Sequence, residues 1–268
     1  MKRNIPVQLL DIIVNLFCEC YSCVKWENFF SPMFAVTFGV RQGSVLSPIL
    51  FAVYIDDISS LSAPRYGHFV FVYADDIMLL APSVTELERL LHICEKELEW
   101  LDMSINFKKS CCLRIGSRHD VKCANIVSLS GRVISWVSEL RYLGIYIVSS
   151  RRVKISLHNA KRSFYRAANS IFGKVGRVAS EEVVIELITS KCIPALLYGL
   201  EACPLTKSDL QSLDFVINRF FMKLFQTSNM SIVKQCQEHF FVSLPSSLIA
   251  KRTEKFLAKL NNQYIYKT

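Results

Sequence analysis

The sequence predicts an α+β protein in which short strands alternate with helices in the first half and helices alone fill the second. Residues 69–73 and 77–80 are two short apolar runs, FVFVY and IMLL, of the kind that forms paired strands. Apolar residues recur at helical spacing from 84 to 101 and again from 151 onward. Half of the 268 residues are apolar (51%), which is enough to build a proper core.

The elements follow one another without repeats or low-complexity linkers. Residues 5–24 have helical spacing, and the stretch FFSPMFAVTFGV after them resembles strand. Ser47 followed by Pro48 is a typical helix start, with a hydroxyl to cap and a fixed φ in the first turn. Ser83 with Glu86 predicts a capping box for a helix over 84–101. Short strands or turns follow in 105–116 and 138–148, and a further helix is predicted to begin at Ser208, capped with Gln211.

Two pairs of adjacent aspartates follow a tyrosine, in VYIDDI at 53–58 and in VYADDI at 72–77. The first pair ends a predicted helix before a polar stretch, so we interpret it as an exposed helix end. The second pair, Asp75 and Asp76, lies between two strands predicted to be buried and joined tightly at Ala74 and Asp75. An unpaired carboxylate in such surroundings costs several kcal/mol, so the pair must be hydrogen-bonded, ion-paired or bound to a cation. A structural salt bridge is an alternative that the strand context alone permits.

The charge is divided unevenly along the chain. Residues 1–150 hold 14 Lys/Arg and 15 Asp/Glu, a net of −1, whereas residues 151–268 hold 18 and 8, a net of +10. Residues 151–177 contain no acidic residue, and a helix there would carry Lys161, Arg162 and Arg166 on its polar side. The second half is therefore expected to face an anionic partner.

Composition also narrows the class of protein. No uncharged apolar run approaches the length that spans a bilayer, and the N-terminal residues lack a signal-peptide cleavage site, so we expect an intracellular protein without membrane contact, cytoplasmic or nuclear. Ten cysteines occur without a CxxC pair backed by a second pair or by histidines, and we interpret Cys18, Cys20 and Cys23, on a segment predicted to be helical, as small buried apolar residues. Paired carboxylates beside a basic region favour Mg²⁺ chemistry on phosphates, where two ions could activate a hydroxyl and stabilise a leaving oxygen.

Four motifs in this order resemble the successive palm motifs of reverse transcriptases, most closely those of non-LTR, LINE-type (jockey-like) retrotransposons. They are GVRQGSVLSPILF, FVYADDIMLL, LDMSINFKKS and RYLGI, spread over about residues 35–148. The resemblance implies a partial polymerase palm over 1–148, a short antiparallel sheet with packed helices. It implies, more weakly, an all-helical, basic thumb and C-terminal region over 149–268. The implied activity is RNA-directed DNA synthesis, with an RNA template, a DNA primer and deoxynucleoside triphosphates as partners.

The resemblance also implies roles for individual residues. Asp75 and Asp76 would be metal ligands, with Asp76 the weaker, and Tyr73 would pack beneath the primer terminus. Lys109 would donate a proton to the departing pyrophosphate. Without the other motifs, we would interpret Lys109 as an ordinary surface lysine. The remaining substrate-binding positions lie in two turns, one against the template and nucleotide and one against the primer backbone: Gln42 and Gly43, then Tyr142, Leu143 and Gly144.

The sequence departs from the family pattern in one large respect. In these enzymes a third metal-binding carboxylate comes from an earlier motif of the form FxDxxxAFD, and no such segment occurs in this sequence. We therefore expect a chain that holds only the later motifs, binds Mg²⁺ weakly or not at all, and has little polymerase activity alone. Arg41 replaces a proline common in relatives, a smaller change.

Two other hypotheses remain open on the sequence alone. The chain could be a nonenzymatic nucleic-acid-binding protein that uses the basic helices after residue 150 and keeps the palm as a scaffold. It could also fail to fold stably, because its sheet would lack a central strand and leave apolar surface bare.

Overall fold

The computed structural model describes residues 5–265 except Glu19, Phe38, Gln42 and Arg177, and only the backbone of 263–265. The chain divides into two compact units. The first contains Met1–Ser110 and Cys123–Ile134, and the second contains Cys111–Lys122 and Ser135–Thr268. Helices and small sheets occur together, as an α+β protein requires, whereas a palm and a thumb as functional regions stay predictions.

The described residues form nine α-helices and several shorter helical turns. The α-helices are α1 Val7–Phe17, α2 Ser47–Ile55, α3 Val84–Trp100, α4 His158–Val175, α5 Glu181–Leu187, α6 Ile193–Leu196, α7 Lys207–Leu224, α8 Met230–His239 and α9 Pro245–Ile265. A 3₁₀ turn, Asp56–Leu61, continues α2, and a π-helical turn, Ile188–Cys192, joins α5 to α6 just before Pro194. Among the described residues, no helix combines the length and apolar character needed to cross a bilayer.

The strands are short and form small, mainly antiparallel sheets. They are β1 Tyr21–Ser22, β2 Lys25–Trp26, β3 Phe29–Phe30, β4 Phe34–Ala35, β5 Phe69–Tyr73, β6 Asp76–Leu80, β7 Cys111–Cys112, β8 Ile126–Val127, β9 Val133–Trp136, β10 Glu139–Tyr142, β11 Ile145–Val148 and β12 Lys154–Ile155. The sheets have the orders β1-β4, β2-β3, β5-β6, β7-β9-β8 and β10-β11-β12. Only the β7–β9 pair among them is parallel.

The core of the first unit lies between the β5–β6 hairpin, α3 and the end of α2. Val70 on β5 is buried against Leu90, Cys94 and Leu98 on one face of α3, and Ile58 closes the cluster. Burial, helped by Glu95 and Glu97, raises the pKa of the Cys94 thiol to about 11. The neutral thiol therefore packs as a small apolar group.

The predicted cap and the acidic side of α3 both have structural roles. Ser83 Oγ accepts a hydrogen bond from the Glu86 amide at 3.2 Å, which satisfies one of the free donors of the first turn. The reciprocal half of the predicted capping box is not formed, since the Glu86 carboxylate lies 3.1 Å from His68 Nε2 instead. The Glu88 and Glu95 carboxylates accept bonds from the amides of Val127 and Leu129 at 2.9 and 2.8 Å. These two glutamates, which had no role in the sequence-based interpretation, therefore tie the segment containing β8 to α3.

The second unit has a larger core built from helices. α4, α5, α6 and α7 bury aliphatic and aromatic side chains around Phe164 and Phe221, each 1% exposed. Leu213 and Val216 of α7 belong to the same cluster.

Several local predictions were wrong for identifiable reasons. The first helix ends at Phe17, not near residue 24, so Cys18 is exposed rather than buried on a helix. Ser47 does not cap α2, since its hydroxyl donates to the Arg41 carbonyl at 2.5 Å. The cap of α7 is Thr206, not Ser208.

The Thr206 cap forms a complete capping box with Asp209, in which each side chain bonds the other residue's backbone N–H. Burial of the Asp209 carboxyl works to raise its pKa, but hydrogen bonds from Thr206 and the charges of Lys154 and Lys161 outweigh it and the pKa is lowered. Serine, threonine and aspartate are all favoured as caps, so several polar residues close together leave the choice of cap open in the sequence.

Replacing Phe221 with alanine should lower the free energy of unfolding by about 3–5 kcal/mol, because a fully buried ring leaves a cavity. Phe215 on the same helix is 53% exposed, and Phe215→Ala should change it by no more than about 0.5 kcal/mol. Urea denaturation followed by circular dichroism measures both, and equal effects would show that the core of the second unit is wrongly assigned.

Candidate active site

The VYADDI segment forms a tight antiparallel hairpin, as predicted. β5 and β6 pair from Phe69↔Leu80 to Tyr73↔Asp76, which leaves Ala74 and Asp75 as the two-residue turn. Ala74 has a φ of 50°, while the φ of Asp75 is negative, the sign pattern of a type II′ turn. The turn therefore directs the chain back at the point where the aspartates occur.

The hairpin is buried on one face only, which corrects the prediction of two buried strands. Val70 faces the core, but Phe69, Phe71 and Tyr73 on the other face are 39, 49 and 62% exposed. The Phe69 and Phe71 rings stack on one another with centroids 6.4 Å apart. Alternate residues of a strand face opposite sides, so this outer apolar face follows directly from the β5–β6 register.

Both carboxylates lie in water at the hairpin tip. Asp75 occupies the turn and Asp76 begins β6, and both are exposed. Within the described ranges neither carboxylate group makes a hydrogen bond or an ion pair, so the alternative of a structural salt bridge finds no support there. Two adjacent, uncompensated carboxylates in solvent are open to a hard cation.

The second aspartate pair is placed differently. Asp56 and Asp57 begin the 3₁₀ turn after α2 and are exposed, as expected of a helix end. Ser59 and Ser60 donate to their backbone carbonyls at 2.6 Å. The same YxDD tetrapeptide thus ends a helix in one place and turns a hairpin in the other.

The RQGS turn is described only in part. Gln42 lies outside the described residues, and Gly43 has a φ of 80°, where a side chain is strained although a Cβ would meet nothing within 4 Å. Arg41 fixes the turn by donating to the Leu16 carbonyl at 3.1 Å and to Cys20 Sγ at 2.9 Å. Arg41 therefore anchors the turn to the end of α1, a contact that a proline could not make.

Lys109 lies in a polar turn in the same unit. Its amide donates to the Asn106 carbonyl at 3.0 Å, and its side chain is exposed. No described hydrogen bond or ion pair links it to Asp75 or Asp76. Its proposed proton-donating role stays a prediction.

The RYLGI turn belongs to the second unit and joins β10 to β11. Leu143 and Gly144 have φ values of 46° and 85°, as the type I′ hairpin turn requires. A Cβ on Gly144 would lie 3.0 Å from Tyr198 Cε1. Glycine is therefore needed here for conformation and for close packing, whatever Tyr142 and its neighbours bind.

The basic helix α4 displays only part of its predicted cationic set. Arg162 and Arg166 are exposed one turn apart, whereas Lys161 is half-buried and donates to Ser212 Oγ at 2.7 Å on α7. Sequence reasoning missed two further cations, Arg219 and Lys223 on α7. The signal in the sequence was their i, i+4 spacing, which places two cations on the same side of one helix.

The described residues contain no cluster of three or more His, Cys, Asp or Glu side chains able to hold a metal ion. The oxygen ligands at the hairpin tip are of the type that Mg²⁺ prefers, but Asp75 and Asp76 supply only two carboxylates.

Comparison with known proteins identifies the class of this chain. The sequence model of the family "Reverse transcriptase (RNA-dependent DNA polymerase)" matches residues 5–147, more than half of the 268. The chain therefore belongs to the reverse transcriptase family. The matched range contains the two aspartates of the hairpin tip, Lys109 and both turns predicted to bind substrate, and it ends before α4.

The individual relatives come from mobile elements. The chain is 26% identical over 226 residues to "RNA-directed DNA polymerase from mobile element jockey" of Drosophila melanogaster, covering 75% of this chain and 23% of that protein. It is 27% identical over 194 residues to "Retrovirus-related Pol polyprotein from type-1 retrotransposable element R2" of Popillia japonica, covering 67% and 26%. The predicted resemblance to jockey-like, non-LTR reverse transcriptases is confirmed, and the chain spans about a quarter of the length of these relatives.

Replacing Gly144 with alanine should lower the free energy of unfolding by about 1–3 kcal/mol, since the turn needs a positive φ and Tyr198 Cε1 lies where the Cβ would go. Gly173→Ala, in the interior of α4 with open space around it, should instead raise it by about 0.5–1 kcal/mol. Thermal and urea unfolding measure both. A neutral Gly144→Ala variant would contradict the turn geometry.

Proposed function

We propose that this chain supplies part of the active site of an RNA-directed DNA polymerase, the part that presents Asp75 and Asp76 to the phosphates of a deoxynucleoside triphosphate. The observation that carries the proposal is the hairpin tip, where both carboxylates are exposed and, among the described residues, unpartnered. An RNA template and a DNA primer are the proposed partners, and the cytoplasm or nucleus is the proposed location.

Asp75 and Asp76 would hold Mg²⁺, which when bound in pairs activates an attacking hydroxyl and stabilises the leaving oxygen. Tyr73 is exposed in register with Asp76, a position from which its ring could support the primer terminus. Lys109 would hold a proton on Nζ for the departing pyrophosphate, and the turns at Gln42–Gly43 and Tyr142–Gly144 would contact template, nucleotide and primer.

We further propose that this polypeptide polymerises poorly by itself. Two adjacent carboxylates give a divalent ion fewer protein ligands than a bridged site, and the described residues hold no third acidic or imidazole ligand beside them. Weak ion binding follows, and with it little capacity to position a triphosphate.

The metal site can be located by replacing Mg²⁺ with Fe²⁺ and adding ascorbate and peroxide, because radicals formed at bound iron cut the nearby backbone. Cutting should centre on the turn between β5 and β6 and decrease with excess Mg²⁺. The double variant Asp75→Asn/Asp76→Asn should lose it, since amides replace the anionic ligands.

Asp56→Asn/Asp57→Asn is the matched control, because it removes an equal charge from the other exposed aspartate pair and should leave the cutting unchanged. Cutting that survives in the Asp75/Asp76 variant would overturn the proposed site. Primer extension on poly(rA)/oligo(dT) is the second measurement, with little synthesis expected. Robust synthesis abolished by Asp75→Ala would overturn the proposed inactivity and support the site.

We propose nucleic-acid binding by the basic helices as a second function, one that needs no catalysis. α4 carries no acidic residue and exposes Arg162 and Arg166, and residues 151–268 have a net charge of +10, from 18 Lys/Arg and 8 Asp/Glu. Cations that neutralise phosphates release counterions, which makes such binding depend on salt. Lys161 would contribute less, because it already donates to Ser212.

The double variant Arg162→Gln/Arg166→Gln should weaken binding to a single-stranded oligonucleotide. It should also reduce the slope of log affinity against log salt by about 1.4, or about 0.7 for each lost phosphate contact. Fluorescence anisotropy across a salt series measures both quantities. Lys234→Gln/Lys255→Gln removes the same charge from exposed positions on α8 and α9 and should leave the slope nearly unchanged, as should Asp75→Asn. An unchanged slope in the arginine variant would refute this role of α4.

A further inference from the structure

A cleft of about 350 Å³ lies between α4 and α7 in the second unit. Its apolar floor includes Phe164 and Phe220, and Phe172 forms part of its wall. Its polar lining consists of Tyr165, Asn169, Arg219 and Lys223. No carboxylate lines the cleft, so every charged group facing it is a cation.

Hydrogen-bond donors are left over in this lining. Lys223 Nζ donates to Asn169 Oδ1 at 2.9 Å, which uses the acceptor of that amide and leaves its NH₂ group. Lys223 Nζ also lies 4.9 Å from the centroid of the Phe172 ring, a cation–π contact that holds the ammonium group at the wall. Arg219 makes no hydrogen bond or ion pair within the described ranges. Three groups of the lining, the Asn169 NH₂ group, the Lys223 ammonium group and the Arg219 guanidinium, thus keep N–H donors that no described residue engages.

The acidic residues nearby do not supply that acceptor. α4 has none, and α7 has two, Asp209 and Asp214. Asp209 is engaged by Thr206 in the capping box, and Asp214 Oδ1 accepts a bond from the Ser246 amide at 2.9 Å. The positive charge of the cleft is therefore not neutralised by its own helices.

We propose that this cleft binds one nucleotide unit of a single-stranded nucleic acid. Arg219, Lys223 and the Asn169 amide hold the phosphodiester, and an unpaired nucleoside lies against Tyr165 and the Phe172 wall. Charge-assisted bonds suit a phosphate, and arginine can bind it with two N–H groups. The volume is at the small end of ligand sites, which fits a single nucleotide.

A nucleic-acid strand explains the surroundings better than a free phosphate does. Arg162 and Arg166 are exposed on the same helix α4, so cations continue beyond the cleft to where neighbouring phosphates would lie. The aromatic side chains offer a surface on which an unpaired base can stack, whereas a paired base cannot reach it. The inference deepens the nucleic-acid binding proposed above and is independent of Asp75 and Asp76.

Asn169→Asp is the sharpest test, because it changes one amide on an exposed helix position to a carboxylate that would pair with Lys223 and repel a phosphate. Affinity for a fluorescein-labelled single-stranded oligonucleotide should fall about tenfold or more, the size of a lost charge-assisted bond. Arg219→Gln should weaken binding in the same way. Gln235→Glu makes the same charge change at an exposed position on α8 and should leave affinity within about twofold.

Competition distinguishes the sources of the phosphate. A mononucleotide should displace the oligonucleotide at lower concentration than inorganic phosphate, and a blunt duplex of equal length should bind more weakly than the single strand. If the wild type binds the oligonucleotide and Asn169→Asp has the same affinity as Gln235→Glu, the proposed cleft site is wrong. The proposed role of Arg162 and Arg166 on α4 would not be affected by that result. Equal competition by inorganic phosphate, or equal binding of duplex, would overturn the nucleotide assignment. A wild type that binds no nucleic acid would overturn both proposals.

Discussion

The packing of one face of the β5–β6 hairpin into the core of the first unit fixes the position of both carboxylates. Val70 is buried there, and Val72, Ile77 and Leu79 pack around it. Each fully buried aliphatic side chain contributes about 1.5–3 kcal/mol to holding the hairpin in this position. Since the register is fixed by this inner face, a slip of one residue would turn Asp76 toward the core and is strongly disfavoured.

The same constraint explains the exposed face of the hairpin. The run FVFV is continuous in apolar character, which is typical of a strand covered on both sides. The described residues cover one side only, so Phe69 and Phe71 stack on each other and remain exposed. The sequence of a strand shows that both of its faces are apolar, but it does not show which other segment covers each face. The hairpin could therefore be predicted, whereas the burial of its two faces could not.

Two local features were predicted well, whereas the cap of α7 and the contacts between more distant residues were not. The α3 cap at Ser83 and the two-residue turn at Ala74 and Asp75 depend on residues a few positions apart. Ser47 and Lys161, by contrast, are engaged by Arg41 and Ser212, six and 51 positions away. Periodicity and cap statistics carry no information about such partners, so the cationic set on α4 was predicted from charge alone and included a lysine that is already bonded.

Local pairing, more than net charge, decides which cations can act on a ligand. The second half of the chain has a large positive excess, yet Lys154 and Lys161 lie close enough to Asp209 to lower the pKa of its carboxyl. Because Asp209 and Asp214 are satisfied elsewhere, Arg219 is left without an anionic partner in the described part of the chain. The carboxylates that we propose as metal ligands and the cations that we propose as phosphate ligands therefore belong to different compact units. Because the two proposed sites share no residue, loss of the ion site need not affect the binding of a strand.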